Sequence, residues 1–227
     1  MGHIIMQDGI GNVSIGDRAA THRAPISALA KRITDIILAS FALLILWPVF
    51  LLIAALVATD GGPIFFRHRR IGKNGVGFDC LKFRTMILGA TECLEEYLAY
   101  HPSEREEWER AQKLSFDPRT TAVGRMLRTS SFDELPQFFN VLVGDMSLVG
   151  PRPVTRSELA FYGDKVDLYL SVRPGVTGLW QISGRNDVSY ENRVELDARY
   201  VREQSFWRDF MILLRTPRVV LSKTGAR

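Results

Sequence analysis

Asp133 and Glu134 stand side by side in RTSSFDELPQ, residues 128–137, behind an arginine and just ahead of a proline. Two adjacent carboxylates in a chain of formal net charge +4 could serve as a nucleophile or as oxygen ligands for a divalent cation. The stretch also fits a plainer role, because Ser131 and Glu134 match an S-x-x-E capping box that would only start a helix. Pro136 disfavours the α region at Leu135, so the helix could instead begin at Pro136 and leave the pair in the lead-in. Either placement sets the pair near a helix N-terminus, whose partial positive charge lowers carboxylate pKa values and keeps both groups ionised.

Guanidiniums and glycines follow the pair. Arg152 lies between Pro151 and Pro153 in GDMSLVGPRPV, so its planar fork is carried on a stiff backbone suited to phosphate oxygens. Arg173-Pro174-Gly175 and Gly184-Arg185-Asn186 each join a cation to a residue that lets backbone approach a ligand closely. Singly, each is also an ordinary turn with a solvated arginine. Three such segments beyond an acidic pair point to phosphate chemistry.

The elements that must position these groups start with an apolar run. Residues 36–59 contain no charge, longer than the roughly 20 residues that a membrane helix needs. The run begins too far along the chain, and is too long, for a signal peptide. Pro48 sits near its middle, where a helix loses a hydrogen bond and kinks. Lys31 and Arg32 flank one end and Arg67, Arg69, Arg70 and Lys73 the other, whereas a spanning helix is basic mainly on one side. Two readings stay open, a kinked single pass and a re-entrant helix that bends at Pro48 and returns.

Residues 1–26 lack periodicity and read as a flexible leader. PIFFRHRRIGKNGVGFDCLKFRTM reads as two β-rich runs joined by Gly72-Lys73-Asn74-Gly75, with Asn-Gly a tight-turn signal. Residues 89–113 form a charged helical stretch interrupted near Pro102. SFWRDFMILLRTPRVVLSK alternates apolar clusters with arginine, as either an interfacial amphipathic helix or ordinary core packing would. Cys80 and Cys93 make no disulfide or metal spacing and read as small buried hydrophobes in a reducing compartment. The charge is too modest, and the bilayer segment too restrictive, for nucleic-acid binding.

KRITD, Pro48, HRRIG, LKFRTM, LRTSSFDELPQFFNVLVGDMSLVGPRP, RPGVTGLWQISGRND and the terminal amphipathic stretch, in this order over roughly residues 30–224, resemble the bacterial sugar transferases, also called monotopic phosphoglycosyl transferases. The sequence is most similar to the exopolysaccharide-initiating members that load galactose-1-phosphate or glucose-1-phosphate onto undecaprenyl phosphate. That resemblance implies an α+β, membrane-associated fold: a re-entrant kinked helix over 30–60, then a mostly helical cytoplasmic catalytic domain over 61–227 with a small β-hairpin and an interfacial C-terminal helix. It places the protein at the inner membrane with the catalytic domain on the cytoplasmic face.

The resemblance also implies a reaction. Asp133 would attack the β-phosphorus of a UDP-sugar, UMP would leave, and the sugar phosphate would pass from the aspartate to undecaprenyl phosphate. Asp133 and Glu134 would be the ligands of a Mg²⁺ ion, with Glu134 orienting the metal or an arginine. Lys82, Arg84, Arg128, Arg152 and Arg185 would be the phosphate-binding cations. Lys31 and Arg32 would anchor at lipid headgroups, Asp35 would pair locally, and Pro48 would form the bend; Trp47 departs from the serine that precedes this proline in many relatives. The implied partners are the UDP-sugar, undecaprenyl phosphate and bacterial membrane lipids, with no nucleic acid and no assigned oligomeric state. The competing class is a single-pass, membrane-anchored binding module in which Asp133 and Glu134 merely cap a helix.

Overall fold

A computed structural model describes residues 25–111, 114–184 and 188–221. Residues 1–24 of the expected leader, and Arg185, lie outside the described residues.

The apolar run forms one helix, α1 (Pro25–Ala58), which continues through Pro48. Its buried positions Asp35, Ala39, Phe50, Ile53 and Val57 fall on a stripe about 60° wide at 3.6 residues per turn. On the opposite face Ile37, Phe41, Leu44, Leu51 and Leu52 are at least half exposed, Leu44 by 75%. Among the described residues this is the one helix long and apolar enough to cross a membrane. Both of its arms nevertheless pack on the domain that follows. Ala39 enters a core with Phe78, Cys80, Val141 and Met146, while Phe50, Ile53 and Val57 enter another with Phe83 and Leu127. The Phe50 ring lies 4.7 Å from that of Phe83 and 5.5 Å from that of Phe139; each such buried side chain contributes about 1.5–3 kcal/mol.

The base of α1 is tied to protein where headgroup contacts were expected. Lys31 Nζ donates to Asp209 Oδ2 at 2.6 Å. Arg32 donates to the carbonyls of Val141 and Leu142 at 2.5 and 2.9 Å, the kind of unsatisfied acceptors that a helix leaves at its C-terminal end. Asp35 has the local partner expected, Lys31 one turn away, and distant partners besides. It accepts from Ser147 Oγ at 2.8 Å and from the Leu148 N–H at 3.1 Å, whereas Lys31 is 3.9 Å away. A buried carboxylate needs close donors, and only the distant chain segment supplies them.

Strands β1 (Phe65–Ile71) and β2 (Gly77–Phe83) form the expected antiparallel hairpin, with Phe65 opposite Phe83 and Ile71 opposite Gly77. Asn74 takes the left-handed conformation in the turn, at φ 58°, as asparagine tolerates. Strand alternation puts Phe78, Cys80 and Lys82 on one face with their partners Arg70, His68 and Phe66. The charged stretch divides into α2 (Ala90–Tyr100) and α3 (Pro102–Ala111), breaking where Pro102 predicts. Leu94 and Leu98 of α2 pack with Leu114 in a small core of their own.

Next come α4 (Ala122–Ser130), a 3-10 turn (Phe132–Glu134) and α5 (Gln137–Val143). Strands β3 (Ser147–Val149) and β4 (Gly175–Thr177) pair in parallel, Ser147 beside Gly175 and Val149 beside Thr177, with a 3-10 segment (Glu158–Lys165) and α6 (Val166–Leu170) between them. A Cβ on Gly175 would sit 2.1 Å from the Gly150 nitrogen. The glycine thus permits an approach of backbone to backbone, and it also borders the cavity described below. Helices α7 (Leu179–Ile182), α8 (Tyr190–Arg202) and α9 (Phe206–Leu221) complete the chain. On α9, Phe206, Trp207, Phe210 and Leu214 are exposed together while Ile212 is buried, the division an amphipathic helix requires.

Candidate active site

Two docking contacts bring the acidic pair to the hairpin. Asn140 of α5 is buried, accepts from the Leu81 N–H at 2.9 Å and donates to the Asp79 carbonyl at 2.8 Å, so its amide pairs with β2 as a neighbouring strand would. From the other side α4 meets the end of β2. A Cβ on Gly124 would fall 2.0 Å from the Thr85 carbonyl oxygen, so only glycine permits that contact. Thr121 caps α4 by accepting from the Gly124 N–H at 2.8 Å. Asp133 and Glu134, in the turn between α4 and α5, are thereby held against Lys82.

The turn decides between the two local readings. Ser131 is left-handed, at φ 59°, and its side chain caps nothing, so the capping box does not form. Helix α5 begins at Gln137, immediately after Pro136, which leaves the pair in the lead-in. Lys82 Nζ reaches Glu134 Oε1 at 2.6 Å and Asp133 Oδ2 at 3.4 Å. Asp133 is only 8% exposed, and burial pushes its pKa up; the Lys82 charge opposes this, and the Glu134 charge adds to it. The expected lowering by a helix N-terminus is thus corrected, because loss of hydration outweighs it. Burial acts to lower the Lys82 pKa, but Glu134 and Asp133 overcome it and hold the ammonium charged.

These groups line a cavity of about 730 Å³, together with Arg128, Arg152, His68 and Trp180. Arg128 donates to Thr85 Oγ1 at 2.9 Å and to Thr120 Oγ1 at 3.3 Å, and its charge reaches Asp133. Arg152 lies over the Trp180 ring, 5.5 Å from its centroid, which fixes the plane of the guanidinium. Arg84 also borders the cavity, but its guanidinium is engaged elsewhere. It pairs with both Asp60 oxygens and donates to the carbonyls of Val57, Pro63 and Met86 at 2.9, 2.7 and 3.1 Å. These contacts make Arg84 a clamp on the end of α1, since an exit from a helix offers it unpaired carbonyls. Arg173 points its Nε–H at the Gly144 carbonyl, 2.6 Å away, and takes no part in this cavity.

His68 belongs to the site although neither charge nor spacing drew attention to it. Arg70 Nη2 stands 3.2 Å from His68 Nδ1; arginine can only donate, so Nδ1 accepts and the ring proton is on Nε2. Burial and the neighbouring Arg70 and Lys82 charges push the His68 pKa down and keep the ring neutral. The signal available in sequence was the hairpin register: once Asn74 and Gly75 fix the turn, His68 pairs with Cys80 on the face that carries Lys82.

The oxygen set fits magnesium. Asp133 and Glu134 offer two adjacent carboxylates, and among the described residues no third His, Cys, Asp or Glu gathers with them. Magnesium takes one or two protein carboxylates and fills its remaining positions with phosphate oxygens and water.

Comparison with known proteins gives this geometry a family. The bacterial sugar transferase family matches residues 26–223. The chain is 53% identical over 201 residues to the exopolysaccharide production protein ExoY of Rhizobium meliloti, covering 88% of this chain and 89% of that protein. It is 50% identical over 200 residues to the undecaprenyl-phosphate galactose phosphotransferase of Salmonella typhimurium, covering 88% of this chain but 42% of that protein. Over 200 residues it is 38% identical to the UDP-glucose:undecaprenyl-phosphate glucose-1-phosphate transferase of Klebsiella pneumoniae, covering 84% of this chain and 40% of that protein. It thus spans most of one relative and less than half of the other two.

Proposed function

The chain belongs to the bacterial sugar transferase family and is a phosphoglycosyl transferase, and on that premise we propose that it moves a hexose-1-phosphate from a UDP-sugar, UDP-galactose or UDP-glucose, to undecaprenyl phosphate with release of UMP. The observation that carries this reading is a buried carboxylate, Asp133, beside a charged lysine in a cavity that Arg128 and Arg152 also line. The non-catalytic alternative needs the pair as helix caps, and neither carboxylate stands at a cap position.

Asp133 Oδ attacks the β-phosphorus, a P–O bond forms, and the bond from that phosphorus to the bridging oxygen breaks, so UMP departs with the bridging oxygen. An oxygen of the polyprenyl phosphate then attacks the same phosphorus and frees the Asp133 carboxylate. Nucleophile and both substrates are anionic; two unit charges about 4 Å apart repel by roughly 4 kcal/mol at an effective dielectric near 20. Lys82, Arg128 and Arg152 offset that repulsion from fixed positions, and partial dehydration of Asp133 makes its oxygen more reactive once ionised. Asp133 and Glu134 would hold a magnesium ion, which when bound neutralises diphosphate charge and stabilises the leaving UMP.

The lipid acceptor accounts for α1 and α9, whose uncovered apolar faces need a membrane around them. Both arms of α1 rest on one domain, an arrangement suited to a helix that enters the cytoplasmic leaflet of the inner membrane and returns. Tags placed before residue 30 and after residue 221 are then expected on the same side of the membrane; opposite sides would exclude re-entry. Turnover is tested by UMP release from UDP-galactose, UDP-glucose and UDP-N-acetyl sugars with undecaprenyl phosphate present. One of the two hexoses is expected to be preferred, and chelation of divalent cations to lower its rate at least about 10²-fold. Release that survives exhaustive chelation would remove magnesium from the reaction.

A further inference from the structure

Five buried side-chain atoms in the described residues have no hydrogen-bond partner: Trp180 Nε1, Gln181 Oε1, Tyr190 Oη, Arg193 Nε and Asp197 Oδ1. They are not scattered. The Arg193 guanidinium lies 4.3 Å from the Trp180 ring centroid and 5.4 Å from that of Tyr190, and Arg152 stacks on the same indole from the cavity wall. Asp197 closes the corner through its other oxygen, which accepts from Tyr162 Oη at 2.8 Å. Trp180 and Gln181 belong to the wall of the cavity that holds Asp133.

Folded chains pair nearly all of their buried polar atoms, so the unpaired ones that belong to a cavity wall, here Trp180 Nε1 and Gln181 Oε1, mark where an outside molecule supplies the partners. The chemistry of the cluster narrows what that molecule is. It contains donors in the indole and guanidinium, acceptors in the amide and carboxylate oxygens, and a phenol that does both. A phosphate only accepts and would leave Gln181 Oε1 unpaired. A pyranose hydroxyl both donates and accepts, and the apolar C–H face of a sugar ring suits an indole.

We propose that this corner is the hexose subsite, in which Trp180 and Gln181 hydrogen-bond ring hydroxyls of the donor sugar and thereby set which hexose is accepted. The assignment rests on the phosphoglycosyl transferase reading. The indole and the amide reach the ligand by side-chain rotation from the wall they already form, a small adjustment of the sort binding commonly brings. Behind the wall, burial pushes the Asp197 pKa up to about 7 against hydrogen bonds from Tyr162 and the Arg152 backbone N–H, and burial followed by the Arg152 charge pushes that of Arg193 down.

The test compares the protein in membranes with Gln181→Met, which keeps size and removes the amide, and with Trp180→Phe, which keeps an aromatic ring but removes the indole N–H and part of the ring volume. UMP release is measured with undecaprenyl phosphate and UDP-galactose, UDP-glucose or the 4-deoxy analogue, alongside inhibition by UDP, which carries no hexose. Each variant is expected to lower kcat/KM for the preferred hexose about tenfold, the loss of one hydrogen bond, and to shrink the preference over its C4 epimer. Inhibition by UDP is expected to stay within about twofold in Gln181→Met, which leaves the Trp180 ring in place under Arg152. If UDP inhibition weakens by the same factor, the corner reads uracil or the diphosphate and the hexose assignment falls. If both kcat/KM and the epimer preference are unchanged in a variant with a wild-type melting transition, the corner holds only internal water and the proposal falls as well. Gln181 is half-buried, so Gln181→Met carries the decision should Trp180→Phe unfold. Absence of UMP release from every UDP-sugar by the unaltered protein would instead overturn the underlying transferase reading.

Discussion

Two aspartate–cation pairs, Asp60 with Arg84 and Asp133 with Lys82, meet at residues two apart on one stretch of chain and behave in opposite ways. Asp60 is exposed, and the Arg84 guanidinium, aided by the Gly62 N–H, pulls its pKa down to about 2. Asp133 is buried; its pKa rises despite the lysine, which stands farther away and is shared with Glu134. Hydration makes the difference. The water-exposed pair is a mechanical joint between α1 and the hairpin. The dehydrated pair keeps a carboxylate at higher free energy beside a cavity, where it can react.

The largest effect that would break this contrast is the loss of the reactive carboxylate. Asp133→Asn is expected to lower sugar-phosphate transfer by about 10³-fold or more while leaving the melting transition near that of the unaltered protein, measured by radiolabelled transfer to lipid and by circular dichroism. Retained transfer would shift the nucleophile elsewhere.

Lys82→Met comes next, with kcat/KM expected to fall about 10²-fold. Its sharper signature is in the pH–rate profile. Asp133 must be ionised to attack, and its folded pKa already lies above the ordinary carboxylate value, so activity is lost as pH falls through that raised value. Removing the lysine charge raises it further, so the acidic limb should move to higher pH. A limb that stays in place or moves downward would show that Lys82 does not act on Asp133.

Arg84→Ala should have the smallest effect on chemistry and act on stability. It leaves the carbonyls of Val57 and Pro63 without their donor, and the melting temperature is expected to drop several degrees, at about 2–4 °C per kcal/mol in a chain of this size. Because the folded pKa of Asp60 is depressed, the stability it contributes is complete above its unfolded value near 3.8 and is lost as pH falls from there toward about 2. Unfolding between pH 4 and 2 should therefore be blunted in Asp60→Asn. An equal loss of kcat in Arg84→Ala with unchanged melting would instead make Arg84 a phosphate ligand.

The contrast also explains what could be read in the sequence. The hairpin followed from Asn74 and Gly75 and the break between α2 and α3 from Pro102, because each is a local backbone rule, whereas Pro136 gave the acidic pair one of two open positions and the fold chose it over the capping box. Lys82 and Arg84 looked alike within LKFRTM, since both are cations two residues apart in one β-rich run. Their roles are separated only by partners 51 and 24 residues away. Asp35 was legible only in part for the same reason: local spacing gave its ion pair with Lys31, but its closer donors at Ser147 and Leu148 are 112 and 113 residues distant. The polar corner at Trp180, Gln181 and Arg193 left no mark in sequence, because an unpaired atom is defined by what the rest of the fold fails to bring to it.

The dehydrated carboxylate is probed most directly by mixing the protein with its UDP-hexose in the absence of polyprenyl phosphate, quenching within a turnover and weighing the intact chain. One hexose-phosphate per chain, mapped to Asp133 and discharged on adding the lipid, is the expected result. Steady UMP release on adding the lipid, with no such adduct at residue 133 at any quench time, would contradict it.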